Sequence, residues 1–256
     1  MHRAFAKGES YFLTNRQSRQ EQIEARFRVT DRIPELWRPE TGEREPVSYR
    51  IEQGETVVPL TLQSDDAVHI VFRGTADKLA RSIEVPTFRE LARLDKSWRI
   101  AFQAGRGAPL GTVLQPLAPL DEASDPRIRF FSGMADYRQT FTAPRGWQPG
   151  APLWLDLGEV HEVAEIVVNG QKAGDVWHAP YRVNIGKLVR AGKNRLDVRV
   201  ANLWANRLIG DARRDPADPS PRLTWTAGPS YTASAPLRRS GLIGPVRLLG
   251  AAGPTR

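Results

Sequence analysis

Residues 177–211 read WHAPYRVNIGKLVRAGKNRLDVRVANLWANRLIGD, and this stretch decides the fold class. Within it, residues 196–200 (LDVRV) alternate apolar and charged side chains, which is the period-two pattern of a half-buried strand. The dipeptide Asn169-Gly170 lies just upstream between two alternating runs and is the strongest short-range signal of a β-hairpin. The stretch therefore predicts antiparallel strands whose ends carry aromatic and polar side chains.

Strand-like runs separated by turn residues recur along the rest of the chain. The first part contains four, at 24–29, 47–51, 56–62 and 68–73, and a second series begins near Trp98. Short strands at this regular spacing predict β-sandwiches rather than βαβ units. Residues 88–94 are expected to form a short helix within a connector. We therefore predict two all-β domains, over residues 1–96 and 97–256.

The first residues of the chain resemble a segment from the middle of a domain rather than its beginning. The strand-like run Tyr11-Phe12-Leu13 follows the first residue almost at once, without a polar lead-in. We therefore expect the first β-sandwich to be incomplete at its N-terminus.

Composition excludes several classes of protein. The 256 residues are 40% hydrophobic and 26% charged, which is typical of a globular chain and not of a disordered one. Neither a transmembrane run nor a secretory signal appears in the sequence, and the absence of cysteine excludes disulfides. Basic and acidic residues balance over residues 1–96, so the net charge of +8 comes from residues 97–256. Because these basic residues are scattered and form no known motif, we expect no nucleic-acid or membrane partner.

Residues for catalysis are not apparent in the sequence. A glycosidase needs two opposed carboxylates, and the densest acidic group, Glu159, Glu162 and Glu165, reads as solvated strand-edge positions. His161-Glu162 begins like the zinc-protease motif HExxH, but Glu165 replaces the second histidine. We therefore predict neither catalytic nor metal-binding residues and no cofactor. Structural calcium remains an alternative, although no Asp-x-Asp-x-Asp loop supports it.

Candidate sugar contacts are the aromatic and planar polar side chains near the strand ends, which can stack on or hydrogen-bond a polyhydroxylated ligand. These candidates are Trp177, His178, Tyr181, Trp204, Asn206 and Arg207. The default role of each tryptophan is packing in the sandwich, with Trp177 and Trp204 the most favourable for exposure. An alternative for Arg207 is a structural ion pair with Asp211 that fixes the loop.

Several segments resemble glycoside hydrolase family 106, the α-L-rhamnosidases, and more broadly the galactose-binding-like jelly roll of family 2 enzymes. They include HRAFAKGESYFLTNR (2–16), PELWRPETG (34–42), FFSGMADYRQTF (130–141) and SGLIGPVRLL (240–249), besides the most specific tract at 154–211. The resemblance covers nearly the whole chain and corresponds to the C-terminal portion of such enzymes. It implies a jelly-roll sandwich over residues 97–256 and a periplasmic or extracellular location.

The resemblance also implies what the chain does. Family members are exo-acting glycosidases that remove a terminal deoxy-hexose, but their catalytic domain lies upstream of the matching segments. We therefore expect a non-catalytic accessory or carbohydrate-binding region, with a deoxy-hexose glycan and an upstream catalytic domain or polypeptide as partners. The alternatives are a free-standing carbohydrate-binding module and, less favoured, a basic β-domain that binds polyanions.

Overall fold

Two compact units make up the chain, and both consist almost entirely of antiparallel β-sheet. The computed structural model describes residues 1–214, 223–228 and 231–251. The first unit spans Met1–Pro86 and the second Thr87–Arg256. The predicted all-β, β-sandwich fold class is confirmed.

The first unit contains nine of the described strands in two sheets. They are β1 (His2–Phe5), β2 (Gly8–Thr14), β3 (Glu21–Phe27), β4 (Arg32–Trp37), β5 (Arg44–Pro46), β6 (Tyr49–Glu52), β7 (Glu55–Leu62), β8 (Ala67–Thr75) and β9 (Ala80–Arg81). One sheet has the order β1-β2-β8-β4-β5 and the other β3-β7-β6-β9. Phe27 and Val58 from one sheet pack with Ile70 and Phe72 from the other in a single buried cluster. Burial of this apolar surface between two sheets is what makes the unit a sandwich.

The second unit contains the remaining described strands and two short helices. They are β10 (Phe88–Arg93), β11 (Trp98–Phe102), β12 (Gly111–Leu114), a 3₁₀ turn (Leu120–Glu122), α1 (Pro126–Arg129), β13 (Met134–Thr142), β14 (Trp154–Asp156), β15 (Glu159–His161), β16 (Val163–Val168), β17 (Gln171–Val176), β18 (Arg182–Asn184), β19 (Lys193–Ala201), α2 (Ala205–Arg213), β20 (Gly241–Gly244) and β21 (Arg247–Ala251). A six-stranded sheet, β12-β11-β13-β19-β16-β17, and a four-stranded sheet, β10-β21-β14-β18, form its layers, and β15 pairs with β20. The alternating residues Leu196 and Val198 point inward and pack with Leu155 and Leu248 of the other sheet. The sequence pattern thus predicted the buried face correctly.

The predicted hairpin forms at Asn169-Gly170. Val168 pairs with Gln171, and both loop residues have positive φ, 52° and 84°. These are the signs of a type I′ turn, for which glycine and asparagine are the favoured residues. The turn fixes the register of β16 against β17 and so determines which side chains reach the far end of the sheet.

The helix predicted over residues 88–94 is wrong. Phe88–Arg93 is instead the edge strand β10, which pairs with β21 from Phe88↔Ala251 to Arg93↔Arg247. Local propensity for a helix is overridden because the edge of β21 offers backbone partners along most of this segment, with one register shift between Glu90 and Ala92. The compact units accordingly divide between Pro86 and Thr87, whereas the sequence placed the boundary near residue 96.

Candidate functional site

Strand register brings the two predicted tryptophan-bearing loops to the same end of the six-stranded sheet. Val176, the last residue of β17, pairs with Ala164 of β16, and Ala164 pairs in turn with Val200 of β19. Trp177 therefore follows β17 at the end of the sheet where β19 also finishes. Because adjacent strands lie ~4.8 Å apart, the backbones of β17 and β19 are separated by ~10 Å at this end.

Both tryptophans are half exposed at that end. Trp177 has 48% of its surface accessible and Trp204 has 46%. The Trp177 ring contacts His178 edge to face at 6.0 Å, and the guanidinium of Arg106 lies 4.7 Å from the centre of the Trp204 ring. Arg106 comes from the loop between β11 and β12, which reaches the same end of the sheet. The site thus offers two accessible aromatic surfaces, one of them beside a cation.

The remaining aromatic candidates lie in the loop between β17 and β18. His178 is half-buried, and its Nδ1–H donates to the carbonyl of Ala179 at 2.8 Å. Tyr181 is half-buried and packs against the core, while its carbonyl accepts a hydrogen bond from the amide of Leu157 at 2.9 Å. These contacts fix the loop that carries Trp177.

Asn206 is placed away from the exposed rim. It is only 2% exposed, and its side-chain amide makes two hydrogen bonds to the backbone of Arg238. The Asn206 Nδ2 donates to the Arg238 carbonyl at 2.7 Å, and its Oδ1 accepts from the Arg238 N–H at 2.7 Å. A sugar could reach this amide only by breaking both bonds.

Arg207 lies in α2 and pairs with Asp211 one turn later. Their Nη2 and Oδ1 atoms are 2.7 Å apart, and both side chains are largely buried. The hydroxyl of Thr224 donates to the other oxygen of Asp211 at 2.5 Å. The arrangement matches the structural role considered for Arg207, since it ties a later segment of the chain to the helix.

The helix α2 itself has no clear signal in the sequence. Trp204 provides no side-chain N-cap, although the buried positions recur at helical spacing: Ala205, Asn206, Ile209, Gly210 and Asp211. Gly210 sits mid-helix because a Cβ there would come within 2.6 Å of the Phe130 ring. Tertiary contacts rather than propensity therefore hold this helix.

Trp225 is the most exposed tryptophan among the described residues, at 86%. Sequence analysis assigned it a packing role by default. It follows Thr224, which is bonded to Asp211, so its backbone is anchored while its ring remains accessible. The buried Trp98 begins the alternating strand β11, whereas Trp225 lies outside the described strands.

The acidic group at Glu159, Glu162 and Glu165 forms surface ion pairs. Glu159 accepts from His161 at 3.0 Å, and this hydrogen bond, with the positive charge of Arg239 nearby, lowers the pKa of its carboxyl group. Glu165 bonds Lys172 at 3.1 Å. A lowered pKa keeps Glu159 ionised, which is the opposite of what a general acid requires.

A depression on the outer face of the six-stranded sheet in the second unit has a volume of about 510 Å³. Its lining alternates arginine with acidic residues. Asp136 is 2.6 Å from Arg199, and Asp197 is 2.7 Å from Arg195 and 3.0 Å from Arg138. Both aspartates are thus committed to arginine partners.

A metal site and a membrane-crossing helix each have structural requirements. Among the described residues of either unit taken alone, no three acidic or histidine side chains converge closely enough to hold an ion. Structural calcium therefore stays a prediction. The longer described helix has nine residues, and no described helix has the length and apolar character of a membrane-crossing segment.

Two family models match different parts of the chain. The glycoside hydrolase family 106 model, alpha-L-rhamnosidase, matches residues 1–51. The glycosyl hydrolase 2 galactose-binding domain-like model matches residues 119–232, which include the two predicted tryptophan loops.

Individual proteins show the same two similarities. The solved rhamnosidase from Novosphingobium sp. PP1Y is 52% identical over 97% of this chain, with a TM-score of 0.88. A putative beta-glucuronidase of Formosa agariphila is 36% identical over 143 residues, or 47% of this chain. The chain spans only 23% of that rhamnosidase and 12% of that glucuronidase. The predicted resemblance is therefore confirmed: the chain is similar to part of a rhamnosidase-type glycoside hydrolase and carries a galactose-binding-like region.

Proposed function

We propose that this chain is a non-catalytic accessory region of an α-L-rhamnosidase-type glycoside hydrolase, and that it contacts glycan through the loop end of its second unit. The observation that carries the proposal is the placement of Trp177 and Trp204, both half exposed, at one end of the six-stranded sheet. The proposed ligand is a glycan with a terminal deoxy-hexose, and the proposed partner is a catalytic domain or polypeptide of the same enzyme type.

The chemistry of the two rings supports glycan contact. An indole face packs against the apolar C–H surface of a sugar ring, and such aromatic contacts contribute on the order of 1 kcal/mol. A 6-deoxy sugar adds a methyl group to that apolar surface. Arg106, beside Trp204, is a planar donor within reach of sugar hydroxyls.

The state of the carboxylates supports a non-catalytic role. Hydrolysis of a glycosidic bond uses two carboxyl groups on opposite sides of the bond, one of them kept protonated. The acidic residues of the outer-face depression are paired with arginine or lysine instead, and the pKa of Glu159 is lowered. Support for the enzyme type comes from the 52% identity to a solved rhamnosidase.

Titration calorimetry of the whole chain with an α-L-rhamnose-terminated oligosaccharide tests the glycan contact. Trp177→Ala and Trp204→Ala are each expected to weaken binding about tenfold, equivalent to ~1.4 kcal/mol. Trp225→Ala is the matched control, because it removes an exposed indole from a different segment. Unchanged affinity in both variants would show that the proposed placement is wrong.

Assay of the purified chain with an aryl α-L-rhamnoside tests the non-catalytic role. We expect no release of the aryl group above the background of a mock purification. Turnover that rises in proportion to chain concentration and survives further purification would contradict the proposal.

A further inference from the structure

A second concave surface lies in the first unit, on the outer side of the sheet that contains β4 and β8. It has a volume of about 550 Å³, and three arginines line it: Arg44, Arg73 and Arg81. Residues 34 and 36 of β4 are buried, so the alternating Glu35 and Trp37 face outward toward this surface. The depression is of the size that holds a small ligand.

Two of the arginines are held in place by one indole ring. The guanidinium of Arg44 lies 4.2 Å from the centre of the Trp37 ring, and that of Arg73 lies 5.8 Å from it. Trp37 pairs directly with Arg44 across β4 and β5, and its Nε1–H donates to Glu35 at 2.9 Å. Cation–π contact restricts long side chains that would otherwise lose conformational entropy on binding a ligand.

The neighbouring glutamates do not form ion pairs with the three arginines of this surface. Glu45 is 2.6 Å from Arg38, and Glu35 is engaged by the indole N–H of Trp37. Within the described part of the chain, no carboxylate forms an ion pair with Arg44, Arg73 or Arg81. Their guanidinium donors remain available to an anion.

The other sheet of the same unit shows the contrasting arrangement. There Arg50 bonds Glu24 at 2.9 Å and Glu52 at 3.1 Å, and Arg26 lies 3.3 Å from Glu52. Some arginines of this unit thus form ion pairs, whereas Arg44, Arg73 and Arg81 around the depression beside Trp37 form none among the described residues.

We infer that this depression binds a carboxylate-bearing sugar, a uronate within an acidic glycan. Arginine presents paired N–H donors whose spacing matches the two oxygens of a carboxylate, and the pair is both directional and charge-assisted. The depression accommodates one sugar ring beside the edge of Trp37. The choice of a sugar over an acidic peptide rests on the proposed function, whereas the recognition of a carboxylate rests on the arginines alone.

Calorimetric titration of the whole chain with trigalacturonate tests the inference. Arg44→Gln and Arg73→Gln are each expected to weaken binding about tenfold, and affinity should fall as salt is raised. Arg28→Gln, which removes an exposed arginine elsewhere in the unit, is the control and should retain the parental affinity. An equal loss in Arg28→Gln would overturn the inference, since it would reflect net charge alone.

Two further probes identify the ligand class. The methyl ester of trigalacturonate keeps the sugar rings but lacks the charges, and we expect it to bind at least tenfold more weakly. A hexaglutamate peptide that binds as tightly as trigalacturonate would overturn the assignment to a sugar. Failure of this site is distinguishable from failure of the proposed function, because Trp177→Ala and Trp204→Ala should leave trigalacturonate binding unchanged.

Discussion

Replacement of Asn206 by alanine tests whether this residue has a structural role or makes the sugar contact predicted from the sequence. The side chain is 2% exposed and makes two hydrogen bonds of 2.7 Å to the backbone of Arg238. Each such bond contributes about 1 kcal/mol net, and a desolvated group left without a partner adds ~1 kcal/mol or more. Arg238 itself is exposed, so water can replace part of the lost hydrogen bonding and limit the total loss. We therefore expect Asn206→Ala to lower the free energy of unfolding by about 3 kcal/mol.

Urea unfolding followed by tryptophan fluorescence measures this loss, and a thermal scan should show a decrease in Tm of about 6–12 °C. Asn206→Asp retains the acceptor but replaces the donor with an oxygen facing the Arg238 carbonyl, so it should destabilise at least as much. Gln148→Ala, an exposed amide removed from the same unit, is the control. A loss below ~0.5 kcal/mol in Asn206→Ala, within the range of ordinary surface changes, would refute the structural reading.

Two other predictions concern stability. Gly158 has φ +70°, and a Cβ there would lie 2.5 Å from the backbone of Gly244, whereas Gly146 has φ +80° and open space around it. Urea unfolding should therefore show that Gly158→Ala lowers the free energy of unfolding by more than about 3 kcal/mol, whereas Gly146→Ala lowers it by only ~1–2 kcal/mol. Equal losses in the two variants would disprove the backbone clash at Gly158. In the first unit, hydrogen bonds from Arg50 lower the pKa of the carboxyl groups of Glu24 and Glu52. Because the folded pKa values lie below the unfolded value of about 4.3, this stabilisation is complete above that pH and is lost as the pH falls through the folded values. Arg50→Gln should make urea midpoints less dependent on pH between about pH 3 and 6, and an unchanged dependence would argue against the pairing.

The buried faces of the sandwiches were predictable because apolar and polar side chains alternate along the strands with a period of two residues. The alternation at residues 196–200 corresponds to the buried face of β19, and Asn169-Gly170 marks the hairpin that aligns β16 with β17. Both signals are local, since a strand's buried face and a two-residue turn depend on adjacent residues. The exposure of Trp177 and Trp204 was anticipated for the same reason, as both lie at strand ends.

Elements that depend on distant partners were missed. β4 contains Pro34, which reads as a break in a strand, yet Pro34 lies beyond the residues of β4 that pair with β5. A missing N–H is tolerated where one side of the strand has no ladder partner. Similarly, β10 takes its form from the edge of β21, more than 150 residues away in sequence.

The functional assignments of the polar candidates depended on the same kind of distant partner. Asn206 and Arg207 read as sugar contacts because planar polar side chains near aromatic residues fit a glycan. The ion pair of Arg207 with Asp211 was already an alternative from the sequence. The neighbour of Asn206, the backbone of Arg238, becomes apparent only once α2 is folded against the chain that follows it. Sequence pattern anticipated the exposure of Trp177 and Trp204 but not which polar groups near them remain accessible.

The most direct test of the proposed glycan contact is a titration followed by NMR of the tryptophan indole N–H signals, with each signal assigned by a Trp→Phe variant. The signals of Trp177 and Trp204 should shift progressively as an α-L-rhamnose-terminated oligosaccharide is added, while that of buried Trp98 should stay in place. If saturating oligosaccharide moves other indole signals and leaves those of Trp177 and Trp204 unchanged, the glycan does not bind at the loop end of the second unit.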